Sequence, residues 1–200
     1  MKATRRAFTL SEMLVYIGVL SVFTTALYSV VILTVRHFNI SEARSDATQQ
    51  NLKAVMQVNR ILSGGANGTL QVQANPPALM FLSAEPATGR AYLVNGAGEL
   101  LWQKWVCIRY DAQTSKILSS TLAINPATAT PPTPPTFETM ASQPSRMLAR
   151  EITACTLGAV DTRTISYSIS SGVVPSVSTR LVGADAKIGA TTSGLLTLRN

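Results

Sequence analysis

Histidine occurs once in these 200 residues, at His37, and cysteine twice, at Cys107 and Cys155. That scarcity removes most chemistry. A Ser-His-Asp or Cys-His site is hard to build from a single imidazole. Two isolated cysteines with no CxxC spacing do not form a zinc site. There is no HExxH, no glycine-rich phosphate loop and no carboxylate pair beside a nucleophile motif. Asp111, Asp161 and Asp185 are isolated acids on turn-like segments, without the spacing of a calcium loop. The sequence therefore offers no catalytic residue, no metal site and no cofactor motif, and an enzyme is the least favoured class.

Charge is scarce as well. Asp, Glu, Lys and Arg make up 14% of the chain, against roughly 25% in ordinary soluble domains. The formal net charge is +7, and Lys2, Arg5 and Arg6 supply three of those charges. Without residues 1–7 the chain holds 14 basic side chains against 10 acidic ones. These are spread along the sequence, with no basic tail or stripe of the kind that grips phosphates, which argues against direct nucleic-acid binding.

What is present is a long apolar run. Residues 13–35 are 23 consecutive positions without a formal charge. At about 1.5 Å per residue such a helix reaches roughly 34 Å, enough to cross a hydrocarbon core of about 30 Å. The run exceeds the 7–15 apolar residues typical of a secretory signal, and no small-x-small cleavage site ends it. It is apolar on every face, unlike a buried amphipathic helix. Basic residues precede it, so the N-terminus is expected in the cytoplasm and the C-terminal bulk beyond the membrane. A plain signal anchor accounts for the length but not for Glu12, a carboxylate at the start of the apolar stretch, where charge is costly and tends to mark function.

The segment Arg5-Arg6-Ala7-Phe8-Thr9-Leu10-Ser11-Glu12-Met13-Leu14-Val15 resembles the processing motif of type IV pilins and type II secretion pseudopilins. In that family a short basic leader ends in a small residue, usually Gly; a Phe follows, and a Glu stands at the fifth mature position. Ala7 holds the place before the cut, Phe8 becomes the first mature residue and Glu12 the fifth. The clear resemblance covers about residues 2–38. Ala7 replaces the usual Gly, Ser11 stands where many members are aliphatic, and Ser29 occupies the place of a helix-breaking Pro found in major subunits. The resemblance implies cleavage by a prepilin peptidase on the cytoplasmic side and N-methylation of the new Phe8 amine. It also implies pairing of that amine with Glu12 of a neighbouring subunit, where removing one partner would strand the other charge in an apolar setting. The alternative reading of Glu12 is a side chain reaching to the lipid headgroups.

The helical pattern continues past the apolar run. Ile40, Ala43, Ala47, Ala54, Val58 and Ile61 recur at spacings of three, four or seven with charged residues between them, giving one packed stripe. Gly64-Gly65 and Asn67-Gly68 stop it. Beyond residue 68, strands are expected at 70–73, 79–83, 91–94, 99–110, 116–124, 165–169, 173–178 and 195–198. Asn95-Gly96, Gly98 and Asp111-Ala112-Gln113 supply turns. Residues 125–144, with Pro131-Pro132-Thr133-Pro134-Pro135, read as a stiff surface loop. Residues 145–155 read as a short helix capped by Ser145. Trp102, Trp105 and Tyr110 read as sheet or core aromatics rather than a stacking platform, and His37 as an interfacial residue. Cys107 and Cys155 are either two buried thiols or, in an oxidising compartment, a disulfide closing a loop of nearly fifty residues.

The expected fold class is α+β. A long N-terminal helix, transmembrane in its first half and amphipathic in its second, packs on an antiparallel, pilin-like β-sheet domain. The domains are a leader at 1–7, an assembly helix at 8–35 and an extracytoplasmic domain at 36–200. The resemblance implies a minor pilin or pseudopilin, with the terminal Leu198-Arg199-Asn200 a further cue. It would be anchored once in a bacterial inner membrane and then enter a pilus or pseudopilus. The implied partners are other pilins or pseudopilins, the prepilin peptidase, an inner-membrane assembly platform and membrane lipid. A filament-tip module that captures DNA or a secreted substrate, and a non-assembling single-span envelope protein, remain the alternatives.

Overall fold

The computed structural model describes residues 9–66, 68–86, 92–173 and 188–197. They form one long helix and two antiparallel sheets, an α+β arrangement. Helix α1 runs over Leu10–Leu62. By contact density the chain divides into two units, Met1–Glu42 and Ala43–Asn200.

In the first unit the helix carries only exposed or partly exposed side chains. Leu14, Val22 and Phe23 are each more than 60% exposed. Few sequences tolerate so much apolar surface in water. Five of its Ser and Thr hydroxyls donate within the helix itself. Ser21 Oγ donates to the Gly18 carbonyl at 2.8 Å, Thr24 to Leu20 at 2.7 Å, Thr25 to Ser21 at 2.8 Å, Ser29 to Thr25 at 2.9 Å and Thr34 to Val30 at 2.8 Å. A helix that satisfies its own backbone and hydroxyl groups is the form a hydrocarbon environment demands. The helix is long and apolar enough to cross a membrane, and so fits a single-pass membrane protein.

In the second unit the first sheet has the order β1-β2-β3-β4-β5, from β1 Gln71–Gln73, β2 Ala78–Ser83, β3 Trp102–Asp111, β4 Lys116–Thr128 and β5 Ser145–Ala149. The second has the order β6-β7-β8, from β6 Ile152–Ala159, β7 Thr164–Val173 and β8 Ile188–Thr197. All neighbouring strands are antiparallel. Ala54, Val58 and Leu62 of α1 share one core with Leu79, Phe81, Val106 and Ile108 of the first sheet and Ile165, Ile169 and Leu196 of the second.

The buried stripe of α1 is Ala43, Ala47, Asn51, Ala54, Val58 and Leu62. Ala43, Ala47, Ala54 and Val58 follow the expected periodicity. Ile40 and Ile61 stay partly exposed, and Leu62 takes the last core position. Asn51 fills the seven-residue gap between Ala47 and Ala54, which an apolar count passes over. It is fully buried, and its Nδ2 donates to the Ala190 carbonyl of β8 at 2.6 Å. Ser171 Oγ of β7 donates to the Ala47 carbonyl at 2.6 Å. The helix is thus fixed to the second sheet by two side chain-to-backbone bonds, one buried and one part-buried, as well as by packing.

Strand β2 is buried on both faces, and its sequence Ala-Leu-Met-Phe-Leu-Ser is accordingly a continuous apolar run rather than an alternation. Leu79 and Phe81 enter the main core; Ala78, Met80 and Leu82 enter a second cluster with Ala66, Trp105, Cys107 and Met140. The cover over that second face comes from the proline-rich region. Residues 125–128 extend β4, Thr128 pairing with Trp102. Helix α2, Phe137–Ala141, follows, with Thr136 as N-cap accepting from the Thr139 N–H at 3.2 Å. Met140 is fully buried, and its carbonyl accepts from Ser120 Oγ at 2.9 Å. The expectation of a spacer loop over 125–144 is corrected here: part of that segment is a lid on the sheet.

The helix expected over 145–155 is also corrected. Those residues form β5 and the first half of β6, separated by Glu151 at φ +61°. A left-handed residue interrupts a helix, and pairing with β4 and β7 supplies the backbone hydrogen bonds a helix would have made. Two turns follow the sequence closely. Asn95 Oδ1 accepts from the Ala97 and Glu99 N–H groups, each at 2.9 Å, with Gly98 at φ +84°. Asp111 Oδ1 accepts from the Gln113 N–H at 3.0 Å. The strand expected at 91–94 is reduced to a single bridge between Val94 and Leu100, with residue 91 outside the described residues. The strand expected over 173–178 falls, apart from Val173, outside the described residues, as do Leu198-Arg199-Asn200.

Candidate assembly site at the start of the long helix

Ala7 and Phe8 lie outside the described residues; Thr9 and Glu12 lie within them. The chain Thr9-Leu10-Ser11-Glu12 opens α1 with a reciprocal pair of hydrogen bonds. Thr9 Oγ1 accepts from the Glu12 N–H at 3.3 Å, and Glu12 Oε2 accepts from the Thr9 N–H at 2.9 Å. Thr9 Oγ1 also donates to Glu12 Oε2 at 3.0 Å. This is a capping box, which meets two N–H groups at a helix start that otherwise have no partner in the helix. Glu12 thus has a local task in the single chain. Its pattern, Thr followed three residues later by Glu before an apolar run, was readable in the sequence as a helix start.

The geometry leaves Glu12 exposed in the first turn, at the positive end of the helix dipole. Beyond it lie the 23 uncharged residues of 13–35. The carboxylate is therefore the one acidic group on that flank of the span, on an exposed surface.

The cysteines are separate thiols. Both are free and buried, and they belong to different clusters: Cys107 to the one beneath α2, Cys155 to the main core on the other face of the sheet. Consecutive residues of β3 point to opposite faces, and Cys107 faces away from the side that holds Cys155. The disulfide alternative is corrected by this placement. Burial pushes both thiols up to about 11.

The aromatics behave as core residues. Trp105 is buried, and Tyr110 donates from its hydroxyl to the Ile152 carbonyl at 3.0 Å, tying the first sheet to the second. Among the described residues no group of three or more His, Cys, Asp or Glu side chains converges as a metal site. The Asp111 carboxyl lies below the usual carboxylate range, chiefly because Thr114 Oγ1 donates to it at 2.6 Å. The Asp161 carboxyl is lowered chiefly by the Arg163 N–H, at 2.6 Å. Both acids therefore serve their own turns.

No protein-family model, no curated protein and no solved structure matches the chain.

Proposed function

We propose that this chain is a structural assembly protein, a minor pilin or pseudopilin of a type IV pilus or a type II secretion pseudopilus. The observation that carries the reading is the combination at the N-terminus. A basic leader and the Ala7-Phe8 junction precede Glu12, and Glu12 opens a helix whose next 23 residues are uncharged and exposed or nearly so. An antiparallel α+β domain built on the second half of the same helix is compatible with a pilin-like architecture.

On this reading the helix first anchors the chain in a bacterial inner membrane, with the N-terminus cytoplasmic and the β-rich unit outside. A prepilin peptidase cuts before Phe8. The apolar helix then leaves lipid for a filament core, where other pilins or pseudopilins and an inner-membrane platform are its partners. Glu12 pairs there with the Phe8 amine of a neighbour, both charges being otherwise stranded among apolar side chains.

The test is the intact mass and N-terminal sequence of the protein purified from its own membranes. A chain beginning at N-methyl-Phe8 is expected. A chain still beginning at Met1 in cells with an active peptidase overturns the reading and leaves a plain single-span anchor.

A further inference from the structure

An open cavity of about 390 Å³ lies between residues 68–71 and the proline-rich residues 131–134, with Trp105 of β3 in its wall. A cavity of that size falls in the range of small-molecule sites. Trp105 is only 3% exposed, and its ring packs in the cluster beneath α2. Its indole N–H has no hydrogen-bond partner among the described residues, yet it is not among the buried polar groups sealed from solvent. A buried tryptophan normally satisfies that donor, its only polar group. The small part of Trp105 that reaches solvent therefore includes its one donor, and the cavity that it lines is where the donor can be met.

The walls define the ligand. No Asp, Glu, Lys, Arg or His side chain lines the cavity. A charged ligand would enter without a counter-charge, which is costly. On one side Pro131, Pro132 and Pro134 have no N–H, so three of the four positions offer carbonyl acceptors without donors, and Thr133 between them is exposed. On the other side Thr69 Oγ1 is already engaged, donating to the Ala66 carbonyl at 2.9 Å and accepting from the Leu82 N–H at 3.0 Å. The half-buried Gln71 amide supplies both a donor and an acceptor there. A fitting ligand must donate toward carbonyls, accept from an indole and carry no charge, and hydroxyl groups do all three. We propose that this cavity binds a neutral saccharide, with one of its oxygens accepting from the Trp105 N–H. The proposal is independent of pilus assembly, since it uses only the β-rich unit.

The full-length protein, isotope-labelled for NMR and held in a sugar-free detergent, is titrated with glucose, galactose, N-acetylglucosamine and cellobiose, and with glucuronate as a charged counterpart. The chain has two tryptophans, so two indole N–H signals report, told apart by Trp102→Phe. At least one neutral sugar should shift the Trp105 signal saturably, with glucuronate weaker than the tightest of them by about tenfold or more because its charge meets no counter-charge. Trp105→Phe keeps an aromatic ring but loses the N–H, and should weaken binding about three- to tenfold by saturation-transfer NMR. Thr133→Val, at an exposed position that leaves folding intact, should weaken it several-fold. The proposal is overturned if no neutral sugar shifts the Trp105 signal saturably, if glucuronate binds as tightly, or if folded Trp105→Phe binds undiminished. Should Trp105→Phe fail to fold, unchanged affinity in both Thr133→Val and Gln71→Ala overturns it equally.

Discussion

Asn51 is the most informative single position in the β-rich unit. Its side chain is fully buried on the face of α1 that meets β7 and β8. Nδ2 satisfies the Ala190 carbonyl at 2.6 Å, while Oδ1 is buried without a partner. Asn51→Leu removes the donor, leaving the carbonyl unmet at a cost of about 1–3 kcal/mol, and removes the unmet Oδ1, which returns a similar amount. Leucine keeps the four side-chain heavy atoms and their branching but is bulkier, so overpacking should set the net loss at about 1–3 kcal/mol. Asn51→Asp replaces the donor by a second oxygen facing the Ala190 carbonyl. Ionised, that buried carboxylate should cost about 3 kcal/mol or more. At about 1.4 kcal/mol per pKa unit, this corresponds to a folded-state pKa raised by roughly 2 units above the unfolded value near 3.9. A raised pKa gives stability that is present below about pH 4 and lost as pH rises through the folded value near 6. In acid the protonated carboxyl can donate to the Ala190 carbonyl, restoring the bond. Urea unfolding in detergent between pH 4 and pH 8 reads this directly, because both tryptophans of the chain, Trp102 and Trp105, lie in β3. Equal stability of the Asp and Leu variants at pH 7, or an Asp variant whose deficit does not change with pH, would refute a dry helix–sheet contact at Asn51.

Three further outcomes are expected. With both thiols pushed up to about 11 by burial, each is ionised in only about one molecule in a thousand at pH 8; an aromatic disulfide reagent should therefore leave the folded protein unmodified and titrate two thiols in urea, and rapid reaction in the folded state would contradict the packing. Met140→Ala should destabilise the sheet by about 2–5 kcal/mol by tryptophan fluorescence; a loss below about 1 kcal/mol would mean that the proline-rich segment is a loose spacer after all. Glu12→Gln keeps the capping box, since Gln serves at that position as Glu does, but removes the charge; if charge pairing drives assembly, both Glu12→Gln and Glu12→Ala should be excluded from filaments in a pull-down of assembled pili, whereas assembly of the Gln variant alone would assign the effect to the helix cap.

The long helix was legible because its signal is repeated many times over, in 23 uncharged positions and then in a stripe at 3.6-residue spacing. Ala43, Ala47, Ala54 and Val58 were readable for that reason. Asn51 was not, because hydropathy treats a buried amide as surface, and only the position of the Ala190 carbonyl, 139 residues away in sequence, gives it a partner. The turns at Asn95 and Asp111 were legible since each is made by a side chain bonding to its own backbone within four residues. The segment 145–155 misled for the converse reason. Its composition permits a helix, and strand pairing with β4 and β7, a long-range effect, decides otherwise. The lid formed by Phe137 and Met140 was hidden behind prolines, which mark stiffness but not what a stiff segment rests on.

The capping box changes how the N-terminal site is best understood. Thr9 and Glu12 close the helix start within a single chain, so the carboxylate need not wait unpaired for a partner. Both of the contacts it accepts from Thr9 go to the same oxygen, Oε2. A carboxylate has two oxygens and about four lone-pair directions, so accepting a further donor does not require the cap to open. On the proposed reading the same side chain therefore acts twice. In the membrane it meets the backbone N–H of Thr9 at the lipid boundary, where an unmet N–H is costly. In the filament it also receives the Phe8 amine of the next subunit.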